Sequence, residues 1–184
     1  MPADLKDFAA IDRLGAAIFE RWGRLDILVG NAGSLGKLTP LGHMDPKVWD
    51  DVIAVNVTAN WRLIRSLDPL LRAADAGRAV FVTSGVAQNP MPYWGPYSIS
   101  KAALEAMVRT YAAENNSTTV RANCFSPGAT RTRMRAQAMP GEDPETLPSA
   151  EDVAAQLVAL CLPSFTDNGA VYRRTPQGLV KVSP

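Results

Sequence analysis

The chain has 184 residues, of which 47% are hydrophobic and 20% are charged, as in a globular domain and unlike a disordered segment. Its 19 basic and 18 acidic residues leave a formal net charge of +1, so charge gives no reason to expect nucleic acid or an anionic membrane as a partner. Two cysteines, Cys124 and Cys161, and the single histidine, His43, argue against a disulfide framework or a metal site and favour a reducing, cytoplasmic location. The sequence contains no run of about eighteen apolar residues, so it predicts no membrane span.

The first thirty-three residues predict a helix, a strand and a turn. Apolar residues recur every three or four positions over residues 7–22, which indicates an amphipathic helix. Asp7 suits its N-terminal cap and Gly23 the position after its end. Residues 25–29 then predict a buried strand, which ends in Gly30-Asn31-Ala32-Gly33, a turn rich in residues that tolerate positive φ.

Proline and aspartate punctuate the middle of the chain. Asp45-Pro46 predicts the start of a second helix, which Pro69 is expected to end or kink. Residues 79–82 predict a second buried strand, and the proline-rich residues 84–96 predict a loop. A third helix is expected from Tyr97 to about residue 114.

The C-terminal third predicts further elements of the same kinds. A third strand is expected over residues 120–125, followed by Ser126-Pro127-Gly128. Residues 130–148 are expected to be irregular, and Ser149 predicts the cap of a helix that reaches Leu160. Residues 169–172 predict a last strand, to which residues 178–182 could add a hairpin. Strands that alternate with helices indicate a single α/β domain over residues 1–184, with about four strands and ligands bound beyond their carboxyl ends.

Tyr97 and Lys101 stand four residues apart at the start of a predicted helix, so they share one face. A tyrosine phenol normally titrates near pH 10, and a nearby ammonium group would lower its pKa. The pair could therefore donate and accept a proton at neutral pH. The alternative is an ordinary surface pair on an exposed helix face.

Two polar residues upstream could complete such a site. Ser84 ends a predicted strand thirteen residues before Tyr97, and its hydroxyl could stabilise charge on a substrate oxygen or simply form a turn. Asn56 lies in the middle of a predicted helix, where asparagine is a mediocre former. It could be exposed, or it could hold a water molecule or a backbone group at the site.

With these residues the chain resembles the short-chain dehydrogenase/reductases. The motifs that carry the resemblance occur in the family's order and spacing, over about residues 4–175. They are Asp26-Ile-Leu-Val-Gly-Asn31-Ala32-Gly33, Asn56 within Val-Asn-Val, Thr83-Ser84, Tyr97-x-x-x-Lys101 and Pro127-Gly128-x-x-x-Thr132. The resemblance implies a Rossmann-like, doubly wound parallel sheet, an NAD or NADP cofactor, and a small alcohol or carbonyl as substrate.

The resemblance also implies a role for each matching residue. Tyr97 would be the general acid or base, Lys101 would lower its pKa and bind the nicotinamide ribose, Ser84 would orient the substrate carbonyl, and Asn56 would hold a water in a proton relay. The remaining matches would contact the cofactor: Asp4, Asn31, Ala32, Gly33, Pro127, Gly128 and Thr132. Family members are commonly dimers or tetramers, so a homo-oligomer is expected, through helices corresponding to residues 46–71 and 97–114.

The family's phosphate-binding turn, Thr-Gly-x-x-x-Gly-x-Gly, has no counterpart in this sequence. We therefore expect the C-terminal part of the fold only, with roughly two βα units absent before Met1 and the strand at residues 25–29 left as an open edge. The explanations are a fragment of a longer protein, a truncated non-catalytic module used for oligomer contact or binding, or a partner chain that completes the sheet.

The predicted substrate region leaves two questions open. Arg131, Arg133 and Arg135 could favour an anionic substrate, or they could belong to a solvated loop face. Met91, Tyr93 and Trp94 could line an apolar pocket, or they could pack the loop against the domain.

Overall fold

The computed structural model describes residues 2–182, and its centre is a five-stranded sheet with the strand order β1-β2-β3-β4-β5. The strands are β1 (Ile27–Gly30), β2 (Arg78–Val82), β3 (Arg121–Ser126), β4 (Val171–Thr175) and β5 (Gly178–Val182). Neighbours from β1 to β4 are parallel, and β5 is antiparallel to β4. The prediction of about four strands was wrong by one, because residues 178–182 do form the hairpin that the sequence only suggested.

Six α-helices within residues 2–182 connect and cover the strands. They are α1 (Phe8–Trp22), α2 (Pro46–Ile53), α3 (Ala59–Arg72), α4 (Gly95–Glu114), α5 (Arg133–Ala138) and α6 (Ala150–Ala159). The predicted caps are present: the Asp7 carboxylate accepts the backbone N–H of Ala10 at 3.1 Å, and Gly23 ends α1 at a φ of 69°. The region predicted to be irregular contains the short helix α5, whose first turn the Thr132 hydroxyl caps.

The segment predicted as one helix from residue 46 is interrupted by a π-helical turn, Ala54–Thr58, between α2 and α3. Pro69 does not end α3, which continues to Arg72. Proline removes one N–H donor, but its own carbonyl still accepts the N–H of Ala73 at 3.1 Å, so the last turn closes after it.

Apolar side chains cover both faces of the sheet, as the pattern of short apolar strands predicts for parallel sheets. On one face, Ala79 and Phe81 of β2 pack with α1, α3 and α4. On the other face, Val80 of β2 and Phe125 of β3 pack with α6. Successive side chains of β2 point to opposite faces of the sheet, so the strand contributes to two separate cores.

Strand β1 is the edge of the sheet within residues 2–182, and it pairs with β2 alone. Ile27 and Val29 remain 46% and 41% exposed, whereas Leu28 between them is buried. The open apolar edge predicted for this strand is therefore present. None of the helices within residues 2–182 has the length and apolar character that crossing a bilayer requires.

Candidate active site

The 3-10 turn after β2 and the first turn of α4 bring Ser84 and Tyr97 together at the carboxyl end of β2. Ser84 follows β2 with extended backbone and caps a 3-10 turn over residues 85–87. Tyr97 lies in the first turn of α4 and is buried. Burial raises the pKa of the Tyr97 phenol above its ordinary value, and a hydrogen bond with Ser84 only partly offsets that rise.

Lys101 lies one turn further along α4 and is only 3% exposed. Its Nζ donates a hydrogen bond to the carbonyl oxygen of Val82 at 2.8 Å and lies 5.7 Å from the centre of the Tyr97 ring. Desolvation lowers the pKa of Lys101 to about 8. An ammonium group has three donors, so the bond to Val82 leaves donors for a ligand beside Tyr97.

The pKa of Tyr97 shifts in the direction opposite to the one expected from its spacing to Lys101. The sequence suggested that the ammonium group would lower it, but burial is the largest influence and raises it. The ammonium group is directed at the Val82 carbonyl. The Tyr97 phenol is consequently protonated at neutral pH, which suits a proton donor.

Asn56 is fully buried in the π-helical turn. Its Oδ1 accepts the backbone N–H of Ser34 at 2.7 Å, and its Nδ2 donates to the Ser34 carbonyl at 2.9 Å and to the Ser100 hydroxyl at 2.9 Å. Of the alternatives open from the sequence, exposure is wrong and contact with a backbone group is correct. Asn56 ties the loop after β1 to α4 near Lys101.

The other predicted residues lie around the same edge of the sheet or in the turn before α1. Asn31, Ala32 and Gly33 follow β1, and a Cβ atom on Gly33 would lie 3.5 Å from both Lys101 Nζ and Asn56 Oδ1. Pro127 and Gly128 follow β3, with Gly128 at a φ of 71°. Asp4 is exposed in the turn before α1, where its carboxylate accepts the N–H of Lys6 at 2.9 Å.

Apolar side chains surround the Tyr97 ring. This apolar wall consists of Leu35, Leu38, Val86, Trp94, Met134 and Ala138. Of Met91, Tyr93 and Trp94, only Trp94 packs here, with its ring centre 6.0 Å from that of Tyr97, whereas Met91 and Tyr93 are exposed. A substrate pocket at this place stays a prediction.

The three arginines of the predicted substrate region differ in their partners. Arg131 Nη1 contacts Glu145 at 2.8 Å, and Arg135 Nε contacts Glu142 at 2.6 Å. Arg133 is exposed at the start of α5. Two of the three positive charges are thus matched by carboxylates of the same segment.

Sequence reasoning assigned no role to four residues that support this site: Ser34, Thr83, Ser100 and Glu105. Ser34 and Ser100 hold Asn56, and Thr83 donates to Glu105 at 2.7 Å. One signal was available, because Glu105 stands four residues after Lys101 and eight after Tyr97. That spacing puts all three on one side of a helix.

The family model for short chain dehydrogenases matches residues 1–143, so the chain belongs to the short-chain dehydrogenase family. The chain is 43% identical over 141 residues to YciK, an uncharacterized oxidoreductase of Escherichia coli (strain K12). The aligned region covers 77% of this chain and 56% of that protein. The chain thus spans about half the length of this curated relative.

Solved structures of the family are similar over nearly the whole chain. A short chain dehydrogenase from Salmonella enterica serovar Typhi superimposes with a TM-score of 0.91 at 36% identity, over 96% of this chain and 74% of that one. One from Escherichia coli CFT073 in complex with NADPH gives a TM-score of 0.89 at 38% identity, over 95% and 73%. The predicted loss of an N-terminal part finds no support in the structure of residues 2–182 and stays a prediction.

The buried ammonium group of Lys101 predicts a pH dependence of stability. Its folded pKa of about 8 lies below the ordinary value of 10.5, so between these values the unfolded chain binds more protons than the folded chain. The free energy of unfolding should therefore rise with pH across this window, by about 3 kcal/mol at most. Below about pH 8 the cost of burying the ammonium group is fully present.

Urea unfolding without cofactor, for the wild type and Lys101→Met at pH 7.5 and 10, checks this dependence. The stability of the wild type relative to the variant should increase with pH. The exposed Lys37→Met is the matched control, for which this difference should stay constant. A difference for Lys101→Met that stays constant or falls would contradict the burial of a charged amine at this position.

Proposed function

We propose that the protein is an NAD(P)-dependent oxidoreductase that transfers a hydride between the cofactor and a small alcohol or carbonyl compound. The observation that carries this proposal is the arrangement of the half-buried Ser84 with the buried Tyr97 and Lys101 at the carboxyl end of β2. Membership of the short-chain dehydrogenase family and the NADPH complex of a similar structure support it.

The residues present fit a nicotinamide cofactor. The buried ammonium group of Lys101 makes a hydrogen bond to Val82 and has further donors for ribose hydroxyl groups. When bound, the nicotinamide supplies or accepts the hydride. Cofactor contacts are also proposed for Asp4, Asn31, Ala32, Gly33, Pro127, Gly128 and Thr132.

Tyr97 is proposed as the proton donor in carbonyl reduction. Burial keeps its phenol protonated at neutral pH, so its O–H can deliver a proton to the substrate oxygen as negative charge develops there. Ser84, beside the phenol, orients the carbonyl and stabilises the same oxygen. Lys101 places a positive charge near the phenol, which favours the phenolate that remains after proton transfer.

Asn56 serves the site through the loop after β1. Its amide holds the backbone N–H and carbonyl of Ser34, next to the predicted cofactor residues 31–33. A role in a proton relay through a water molecule stays part of the proposal. The direct contribution of Asn56 is to keep this loop beside Lys101.

An uncharged, apolar carbonyl compound fits the surroundings of Tyr97 better than an anion. The apolar wall offers hydrophobic contacts, which commonly dominate ligand sites. Arg131 and Arg135 are already paired with glutamates, which removes most of the positive charge that an anionic substrate would need. The homo-oligomer expected from the family likewise stays a proposal.

Fluorescence titration of NADPH and NADH into the 184-residue protein tests the proposal. Saturable binding of at least one cofactor is expected, weakened at least about tenfold by Lys101→Met because charged hydrogen bonds to the cofactor are lost, and unchanged in Lys37→Met. The alternative of a non-catalytic module used for oligomer contact predicts no binding. Absence of binding at millimolar concentration would contradict enzymatic activity of this chain.

A further inference from the structure

Glu105 is a buried carboxyl group to which the proposed reaction assigns no role. It lies in the middle of α4, on the side of the helix that carries Tyr97 and Lys101, and is 3% exposed. Glutamate is almost never fully buried unless it is paired. Its carboxylate therefore requires partners that compensate for the hydration lost on burial.

One partner is Arg109 on α4 itself, whose Nη1 lies 3.8 Å from Glu105 Oε2, and the two hydrogen-bond donors lie on either side of Ser84. Thr83 Oγ1 donates to Glu105 Oε1 at 2.7 Å, and Gln88 Nε2 donates to Oε2 at 3.3 Å. Thr83 immediately precedes Ser84, and Gln88 caps the end of the 3-10 turn that Ser84 begins. The two carboxyl oxygens thus hold both ends of one short turn.

Glu105 and Lys101 hold consecutive residues at the end of β2. Lys101 Nζ binds the carbonyl of Val82 at 2.8 Å, and Glu105 binds the side chain of Thr83. The hydrogen bonds within the turn, such as that from the Ala87 N–H to the Ser84 carbonyl at 3.0 Å, shape it without attaching it to α4. Val86 packs against Tyr97, and Glu105 supplies the hydrogen-bonded attachment.

We propose that Glu105 is a positioning residue, which fixes the Ser84 turn against α4 and so sets Ser84 relative to Tyr97. The inference rests on the proposed function for its catalytic consequence, but its structural content does not depend on turnover. Proton transfer requires close heavy-atom contact, and a misplacement of about 1 Å can cost about 100-fold in rate.

Hydrogen exchange of the backbone amides in the turn tests the attachment directly. Glu105→Ala and Thr83→Val should each speed exchange at Ala87, Gln88 and Asn89 by about tenfold or more, since local opening no longer breaks the contact with α4. The matched controls on the exposed surface of the same helix are Glu114→Ala and Thr110→Val, which should leave these rates unchanged.

The second readout is steady-state reduction of 1-phenylpropane-1,2-dione, an uncharged aromatic diketone, by NADPH. Glu105→Ala and Thr83→Val should lower kcat by about tenfold or more with less than a threefold change in the NADPH dissociation constant. Glu105→Gln should restore most of kcat, because its amide can accept from Thr83 and, after the Gln88 amide turns over, donate to Gln88.

The outcomes separate this inference from the proposed function. Unchanged exchange in both Glu105→Ala and Thr83→Val would overturn the attachment, whatever the activity. Faster exchange with wild-type kcat would overturn the positioning role while leaving the proposed function intact. A wild-type protein that does not turn over but shows the exchange pattern would overturn the proposed function and the catalytic consequence, and would support the attachment.

Discussion

Replacement of Tyr97 by phenylalanine is expected to lower kcat for carbonyl reduction by about 100- to 10,000-fold, the contribution typical of a positioned general acid. The change removes one hydroxyl group and keeps the ring, which packs against Leu35, Val86 and Trp94. The unfolding midpoint and NADPH binding should therefore remain close to those of the wild type. Absorbance of NADPH at a fixed diketone concentration measures the rate.

Tyr93→Phe is the matched control for this substitution. Tyr93 is 60% exposed in the loop before α4, so loss of its hydroxyl group should leave kcat unchanged within about twofold. If Tyr97→Phe retained wild-type kcat, Tyr97 would not be the proton donor. If both variants lost activity equally, the effect would not be specific to the phenol of Tyr97.

Asn56→Ala is expected to lower the free energy of unfolding by about 3–5 kcal/mol. The fully buried amide makes three hydrogen bonds, two with the Ser34 backbone and one with Ser100. Each buried polar group left unpaired costs about 1–3 kcal/mol, and the truncated side chain leaves a cavity. Urea denaturation monitored by circular dichroism measures this loss.

The exposed Asn89→Ala provides the comparison for Asn56→Ala. Asn89 lies on the surface of the loop after β2, so its truncation should change the free energy of unfolding by less than about 0.5 kcal/mol. Hydrogen exchange in Asn56→Ala should increase most at Ser34, whose N–H donates to Asn56. A loss below about 1 kcal/mol would mean that the loop after β1 does not depend on Asn56.

Local sequence signals were sufficient to predict most of the helices and strands. The cap at Asp7, the glycine at position 23 and the proline at position 46 mark helix ends that the structure contains. Short apolar runs identified β1, β2 and β3, with bounds shifted by one or two residues. These signals work because capping and burial depend on residues close together in the chain.

Features that depend on distant contacts were not predictable in the same way. The π-helical turn at Asn56 is associated with hydrogen bonds to Ser34 and Ser100, which lie 22 and 44 residues away. The spacing of Tyr97 and Lys101 suggested a lowered phenol pKa, but burial raises it. Desolvation depends on everything packed around a group. The spacing of two residues along a helix therefore cannot predict the direction in which a pKa shifts.

The pKa values of Tyr97 and Lys101 shift in opposite directions for the same reason. Burial disfavours the charged form of both side chains, which raises the pKa of the phenol and lowers that of the amine to about 8. At neutral pH the amine is therefore still mostly charged while the phenol keeps its proton. This combination suits the proposed reductive direction, in which Tyr97 would give up a proton and Lys101 would stabilise the resulting charge.

Transfer of deuterium from labelled NADPH tests the central claim most directly. The protein would be incubated with 1-phenylpropane-1,2-dione and NADPH deuterated at C4, in each of its two epimers, and the alcohol analysed by mass spectrometry. We predict one deuterium on the carbinol carbon from one epimer alone, and almost no alcohol with Tyr97→Phe. Alcohol without label, labelled alcohol formed equally fast by Tyr97→Phe, or bound NADPH without any alcohol would contradict the account.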